Sequence, residues 1–351
     1  MLFGKKKDVI GLDIGSSSIK IIELNETNKG YRLINCAMSV IPPEAIVDGS
    51  LMDSVAIVDT IRDLVKSFKI KTKEVVTSVS GHSVIVKKIS LPVITEDELA
   101  ESIQWEAERY IPFDASDVNI DFQILGSNEE NSELMDVVLV AAKKDIINDY
   151  LSVLLEAGLN PVIIDIDAFA LENMFQTNYP TKMGEVVGLV DIGANVMNIN
   201  IVKDGISAFT RDVFKGGSSI TEEIQKHLHV DYEEAEALKV GSKIDDSKKR
   251  AIDSILKTAS DEFASEISQS LDYFQKTSNQ NLDRLFVSGG CSKIEGLTKA
   301  IEAQVGVPVE VVDPFQNIEV TKKDLSLDYI NDISPFMAVG VGLALRRVGD
   351  R

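Results

Sequence analysis

The chain holds two cysteines in 351 residues, Cys36 and Cys291, too few for a disulfide framework or a thiolate metal site. Tryptophan occurs once, at Trp105, and aromatic residues make up 6%. Basic residues are outnumbered, 36 against 56 Asp and Glu, which leaves a net charge of −20. Phosphate backbones repel such a surface, so nucleic acid is not an expected partner. No apolar run approaches the roughly 18–20 residues that span a bilayer. Lys5-Lys6-Lys7 runs into Asp8, and the apolar stretch beyond is broken at Asp13 and at Ser16 to Ser18. A signal-peptide core is therefore lacking, and a cytoplasmic location is expected. What is present, 44% hydrophobic and 26% charged residues, suits a globular protein with a sizeable core.

The acid is unevenly spread. Between Val93 and Asp136 stand thirteen Asp and Glu against one basic residue, Arg109, so this stretch carries −12 of the −20. It is either a solvated surface or a docking face for a basic segment.

Val9 to Leu24 reads as strand, tight turn, strand, with Gly15-Ser16-Ser17-Ser18 as the turn, and Tyr31 to Ile41 supplies a third strand. Apolar spacing of three and four from Val55 to Phe68 predicts an amphipathic helix, and Glu74 to Gly81 a buried strand. A unit of different character follows: a strand near Ser83 to Pro92, a helix Glu96 to Arg109 opened by a capping pattern at Thr95, and strands over Val118 to Ile124 and Met135 to Lys144. A helix to Leu155, the strand VIIDI and a helix from Asp167 complete the first half. Asp13-Ile14-Gly15 then recurs 178 residues later as Asp191-Ile192-Gly193, again between apolar strands and followed by a third, Ile206 to Phe214. That shared context points to two related α/β lobes. A long helical region from Ser219 to Gln275, a strand at Leu285 to Val287, a helix Ile294 to Val305 and a closing helix Ser334 to Arg347 follow.

Three glycine turns at strand ends, Asp13 to Ser18, Asp191 to Asn195 and Ser288 to Ser292, can each present backbone N–H groups to an anion. In the first two, a strand-end Asp precedes a Gly by two residues. The glycine lets the backbone approach a polyphosphate, and the carboxylate is placed for a hydrated Mg²⁺. Taken singly each is an ordinary hairpin turn; two facing one another would clamp a nucleotide. Neither a P-loop nor a G-x-G-x-x-G fingerprint is present.

GLDIGSSSIK, GLVDIGANVMN and FVSGGCSKIEGL stand in the order of the phosphate and adenosine motifs of the actin, heat-shock chaperone and sugar kinase superfamily, which the chain resembles. QWEAERYIPFDASDVNIDFQIL, IIDIDAFALENMF and PFMAVGVGLALRR are more specifically similar to the PilM family of type IV pilus assembly proteins. The likeness covers nearly the whole chain.

The resemblance implies an α/β, bilobed actin-like fold similar to FtsA, a duplicated ribonuclease H-like core with a small α+β subdomain inserted in the first lobe. Residues 1–81 would form the first lobe, completed by 166–185 and 335–351, and 82–165 the insert. Residues 186–217 and 283–334 would form the second lobe, and 218–282 a helical subdomain. It further implies ATP or ADP with Mg²⁺. Asp13 would hold the metal's hydration shell with Asp191 opposite, and Gly15, Ser16, Ser17, Ser18 and Lys20 would contact phosphates, as would Gly193, Ala194 and Asn195. Gly216, Gly217, Glu236 and Lys239 would lie near ribose and adenine, and Gly289, Gly290 and Ser292 would flank the base. Glu236 and Lys239 also read as a surface ion pair. The water-orienting acid would be Asp167, with Asp165 as the other candidate, although Asp167 also reads as a helix N-cap. Asn195 and Val196 replace the third glycine and the threonine of the chaperones, so an ATP-binding scaffold with slow hydrolysis at most is expected rather than an enzyme.

As partners the resemblance implies the N-terminal tail of the inner-membrane protein PilN, held in a groove between first lobe and insert, the PilN/PilO membrane complex and the pilus motor ATPases. The protein would lie at the inner face of the inner membrane and reach it only through a partner, as a monomer or a weak self-associator. FtsA-like filament formation and small-molecule kinase activity are the competing expectations. Of the remaining polar residues, His82, His227 and His229 read as surface residues, Cys291 as packing, and Trp105 and Tyr110 as core.

Overall fold

Strand β1 (Ile10–Ile14) buries Ile10, Leu12 and Ile14 because it lies in mid-sheet. The computed structural model describes residues 8–128, 131–241, 246–321 and 326–350; Lys5 to Lys7 and two acids of the acidic stretch, Glu129 and Glu130, lie outside them. Strands β2 (Ser18–Thr27) and β3 (Gly30–Val40) fold back antiparallel, which sets Asp13 opposite Lys20. A small hairpin, β4 (Ile46–Val47) and β5 (Ser50–Leu51), leads to helix α1 (Ser54–Ser67). Asp53 caps α1 by accepting from the Ala56 N–H, and the predicted stripe buries Ile57, Val58, Ile61 and Leu64. Strand β6 (Glu74–Val79) then joins β1 in parallel.

The inserted unit is a three-stranded sheet of β7 (Val84–Pro92), β8 (Val118–Ser127) and β9 (Leu134–Lys143), with β9 central and β8 an edge. Helix α2 (Glu96–Ala107) opens with the expected Thr95–Glu98 capping box and buries Leu99, Ile103 and Ala107 in the core it shares with this sheet. The insert closes at Lys143 rather than at Asp165. Helix α3 (Lys144–Glu156) sends Ile146, Tyr150, Val153 and Leu154 into the first-lobe core, and β10 (Asn160–Ile166) pairs with β6. Helix α4 (Asp167–Asn178) then crosses toward the second lobe.

There β11 (Val186–Ile192), β12 (Met197–Lys203) and β13 (Ile206–Val213) repeat the opening meander. Asp204 and Gly205, with φ of 53° and 76°, join β12 to β13 in a two-residue turn of the kind that favours Asp-Gly. Helices α5 (Gly217–Leu228), α6 (Tyr232–Lys239) and α7 (Asp246–Ser278) form the helical subdomain, breaking as predicted near Asp231 and Gly241. Strand β14 (Arg284–Ser288), helix α8 (Leu297–Val305) and strand β15 (Val309–Val311) finish the second sheet. Strand β16 (Ile318–Glu319), which had no sequence signal, already pairs with β3, so the chain returns to the first lobe before residue 335. Helix α9 (Leu327–Ile333) follows. The closing helix is shorter than predicted: Ser334–Phe336 is a single 3₁₀ turn, and α10 (Ala338–Leu345) starts beyond Met337.

The first sheet runs β10-β6-β1-β2-β3-β16 and the second β13-β12-β11-β14-β15. Read from the third meander strand, both give the same five-strand order, which is the duplication inferred from the repeated Asp-Ile-Gly. Between them lie α4 and α10, where Leu171, Met174, Phe175 and Val341 join Val187, Leu189 and Phe286 in one core. Glycine makes this contact possible. A Cβ at Gly342 would collide with the Ala170 carbonyl.

Candidate functional site

The two Asp-x-Gly turns end β1 and β11 and open onto one cleft. In the first, Gly15 N–H donates to the Ser18 carbonyl (3.1 Å), and Lys20 Nζ lies 3.1 Å from Asp13 Oδ2. Ser18 itself is buried, which leaves Ser16 and Ser17 as the more open hydroxyls of the turn. In the second, Gly193 N–H donates to the Val196 carbonyl (3.0 Å), and Ser288 Oγ donates to Asp191 Oδ1 (2.6 Å). Ser218 binds this turn twice, its N–H to the Ala194 carbonyl (2.8 Å) and its hydroxyl to Asn195 Oδ1 (2.6 Å). The Asn195 side-chain oxygen is thereby tied to α5, an acceptor a phosphate would not use.

The Asp13 charge acts on two further carboxylates, Asp191 and Asp167. Burial and the Asp13 charge push Asp191 up to about 6. Burial, then Asp13, push Asp167 up to about 7, against hydrogen bonds from Ser78 and Ser80 that act to lower it. Asp167 is not the N-cap of α4. Ile166 holds that position without a side-chain bond, and Asp167 sits in the first turn, turned to the serines at the end of β6. Asp165 faces elsewhere: it is buried against Arg346, at 3.0 Å, and lines a separate groove. Among the described residues no three His, Cys, Asp or Glu come together as a direct metal cage. Two carboxylates across a cleft match instead a cation that keeps most of its water.

Around the cleft's outer end, Gly217 N–H donates to the Gly193 carbonyl (3.0 Å), and Gly216 is required because a Cβ there would stand 2.5 Å from the Ala194 carbonyl. Glu236 and Lys239 form a partly buried pair that packs on α5. Lys239 Nζ lies 2.5 Å from Glu236 Oε1, donates to the Gly217 carbonyl (3.2 Å) and to Thr221 Oγ1 (2.8 Å), and Thr221 in turn donates to Glu236. Gly289, at φ 82°, packs on the Ile192 carbonyl, and Gly290 lies against Phe336. The Ser292 hydroxyl is used internally, on the Gly289 carbonyl at 2.7 Å. Burial pushes the Cys291 thiol up to about 12, as befits a packing residue.

Of the remaining residues one expectation is corrected, Trp105, while His82, His227 and His229 are exposed as expected. Trp105 is 72% exposed on α2, not core, whereas Tyr110 packs with the insert core. His82 stacks on Phe214 of the second lobe, centroids 3.3 Å apart at 8°. His229 ends α5 in the left-handed region, φ 53°, so it shares no helix with His227.

A second feature had no sequence motif. A groove of about 640 Å³ runs between edge strand β8 of the insert and edge strand β10 of the first lobe. Its lining is mixed: Val138, Val140, Ile164 and Phe169 give it apolar surface, and Asp121, Asp165, Glu172, Asp350 and Arg346 bring charge. Burial raises Glu172 to about 7.

Residues 11–348 match the family described as type IV pilus assembly protein PilM. A solved PilM-PilN type IV pilus biogenesis complex contains a chain 28% identical, which covers 97% of this chain and 99% of its own length at a TM-score of 0.87. The cell division protein FtsA of Bacillus subtilis (strain 168) is 24% identical over 257 residues, 66% of this chain and 57% of FtsA. MreB 5 of Spiroplasma citri, solved bound to AMPPNP, shares the fold at a TM-score of 0.51 and 14% identity, over 90% of this chain and 94% of its own. The expected actin-like architecture is therefore present, and no helix among the described residues is long and apolar enough to cross a membrane.

Proposed function

Since the chain belongs to the PilM family of type IV pilus assembly proteins, we propose that it is a nucleotide-binding adaptor that holds the N-terminal tail of PilN. The groove between β8 and β10 carries this reading. Both borders are sheet edges with one free side, so an extended peptide can pair with backbone there while alternate side chains meet the apolar part of the lining. That the related chain was solved in a PilM-PilN complex supports PilN as the occupant.

In the cleft, Gly15, Gly193 and Gly217 bring backbone close to the phosphates of ATP or ADP, and Lys20 offers a cation. Asp13 and Asp191 would hold Mg²⁺ through its water, and that ion would neutralise phosphate charge. Lys239 and Glu236 stand beside Gly217 on the ribose side. Asp167, raised to about 7, is poised as a base for slow hydrolysis. The adaptor works in the cytoplasm at the inner face of the inner membrane, linking PilN and its partner PilO to the pilus motor ATPases.

Calorimetric titration with a synthetic peptide of the cognate PilN tail should give saturable one-to-one binding, and a fluorescent ATP analogue should bind in the presence of Mg²⁺. Absence of peptide binding sinks the adaptor reading. ATP-dependent sedimentation of the pure protein would favour a filament instead.

A further inference from the structure

The groove is not confined to the first lobe and the insert. Gly205, Ile206 and Ser207 of the second lobe also line it. They belong to the Asp204-Gly205 turn and the start of β13, and α4 holds that turn in place. Gln176 Nε2 donates to the Gly205 carbonyl (2.8 Å), and Asn200 donates to the Ala168 carbonyl (2.9 Å) while accepting from the Ser207 hydroxyl (2.6 Å).

The other end of β13 reaches the cleft. Asp212 accepts from the Gly81 N–H (2.6 Å) and from Asn198 Nδ2 (2.7 Å), and Phe214, just past the strand, stacks on His82. Gly81 and His82 lie in the connection by which the first lobe passes into β7 of the insert. Lys215 to Gly217 continue from β13 into the loop packed on the Gly193 and Ala194 carbonyls. At roughly 3.3 Å per residue, the strand's two ends stand about 25 Å apart.

Resting on the reading above, we propose that β13 couples the nucleotide cleft to the peptide groove: its Asp212–Phe214 end latches onto the Gly81–His82 connection into the insert, and its Gly205–Ser207 end forms the second-lobe wall of the groove. A ligand that draws the Gly193 and Gly216 loops toward the Gly15 turn moves the second lobe against the first. Because β13 is a rigid member of the second sheet, tied at one end to Gly81 and His82 and at the other to α4, the same movement pulls on the insert and on α4 together and changes how β8 stands against β10. The groove therefore has different widths in the two lobe positions, and a peptide prefers one of them. By linkage the peptide changes nucleotide affinity by the same factor.

The test measures the PilN-tail peptide affinity with and without saturating Mg-AMPPNP, and AMPPNP affinity with and without peptide, in the wild-type chain and in Phe214→Ala and Asp212→Asn. Neither substituted side chain lines the groove or carries a predicted phosphate contact. The wild type should show a change of at least about fivefold, equal in both directions. In the two variants each ligand alone should bind within about twofold of wild type, while the coupling falls to onefold. Asp212→Asn preserves volume, so it carries the test if Phe214→Ala folds poorly, as judged by its melting temperature. Wild-type protein that binds both ligands without mutual effect overturns the coupling and leaves the adaptor reading standing. Coupling that survives both substitutions overturns β13 as its route. Failure of the peptide to bind at all overturns the adaptor reading and the coupling together.

Discussion

Lys20 Nζ lies 3.1 Å from Asp13 Oδ2, and a Cβ at Gly15 would stand 2.8 Å from that same nitrogen. The glycine thus leaves the space in which the lysine meets the strand-end carboxylate. Asp13 acts on both Asp167 and Asp191, and Lys20 offsets charge at Asp13 and Asp191. Lys20→Ala should weaken Mg-ATP affinity at least about tenfold, since charge-assisted contacts are the strong ones. Titration with a fluorescent ATP analogue checks this; unchanged affinity would remove Lys20 from the phosphate site.

Asp167 and Asp191 give the ligand-free protein a specific pH dependence. Their folded values, about 7 and about 6, lie above the ordinary 3.8, so over this window the native state binds more protons than the unfolded chain. Stability contributed by these two groups therefore rises as pH falls from 8 toward 5 and is lost as pH rises through 6 and 7. Melting temperatures measured across that range should show the trend, and Asp167→Asn should flatten it while raising the value at pH 8. A variant curve parallel to the wild type would mean that Asp167 is not held near 7.

The same carboxylate gives a kinetic prediction. If Asp167 acts as the base, Asp167→Asn should lower single-turnover ATP hydrolysis about 100-fold while nucleotide affinity stays within about threefold. Loss of binding instead of turnover would make the residue a structural support of the β6 serines.

Trp105, the sole tryptophan, is 72% exposed on the acidic helix α2. Native fluorescence should already be that of an indole in water and shift little in urea, and Trp105→Ala should change stability by no more than about 0.5 kcal/mol. A blue-shifted native spectrum would show that the residue is covered. A basic partner docking on this face should associate more slowly as salt rises, because exposed charges are screened beyond about 10 Å at 0.1 M.

Gly342 tests the packing between the lobes. A side chain there meets the Ala170 backbone carbonyl, which cannot swing aside as a side-chain terminus can. Gly342→Ala should destabilise by about 3 kcal/mol or more by forcing α4 and α10 apart. Denaturation with an unchanged midpoint would mean that the two helices can separate without loss.

Short-range patterns make much of this molecule legible. The stripe from Val55 to Phe68, the Thr95–Glu98 capping box and the doubled Asp-Ile-Gly each depend on residues within a few positions of one another, and each corresponds to the element found. The two strand-end turns are likewise readable, because a strand-end Asp, a glycine two positions on and a hydroxyl are a local arrangement. Glu236 and Lys239 leave two readings, since a spacing of three describes a surface pair and a site pair equally well. The approach of α6 to α5, which brings Lys239 to the Gly217 carbonyl, is tertiary and leaves no mark on that spacing. Trp105 reads wrongly as core because an aromatic in a helical pattern says nothing of what packs beyond the helix. The Asp-Gly turn at 204–205 is a readable hairpin signal, but its place in a groove wall is not.

Local sequence patterns determined most of the elements, the duplication and the residue types at the strand ends, because periodicity, turn residues and carboxylates act over a few residues. Tertiary structure alone decided that α3 and β10 serve the first lobe, that β8 and β10 face each other as open edges, and that His82 meets Phe214. Those outcomes depend on contacts between segments dozens to more than a hundred residues apart. The energy of such a contact comes from which surfaces are left to be buried once each element has formed.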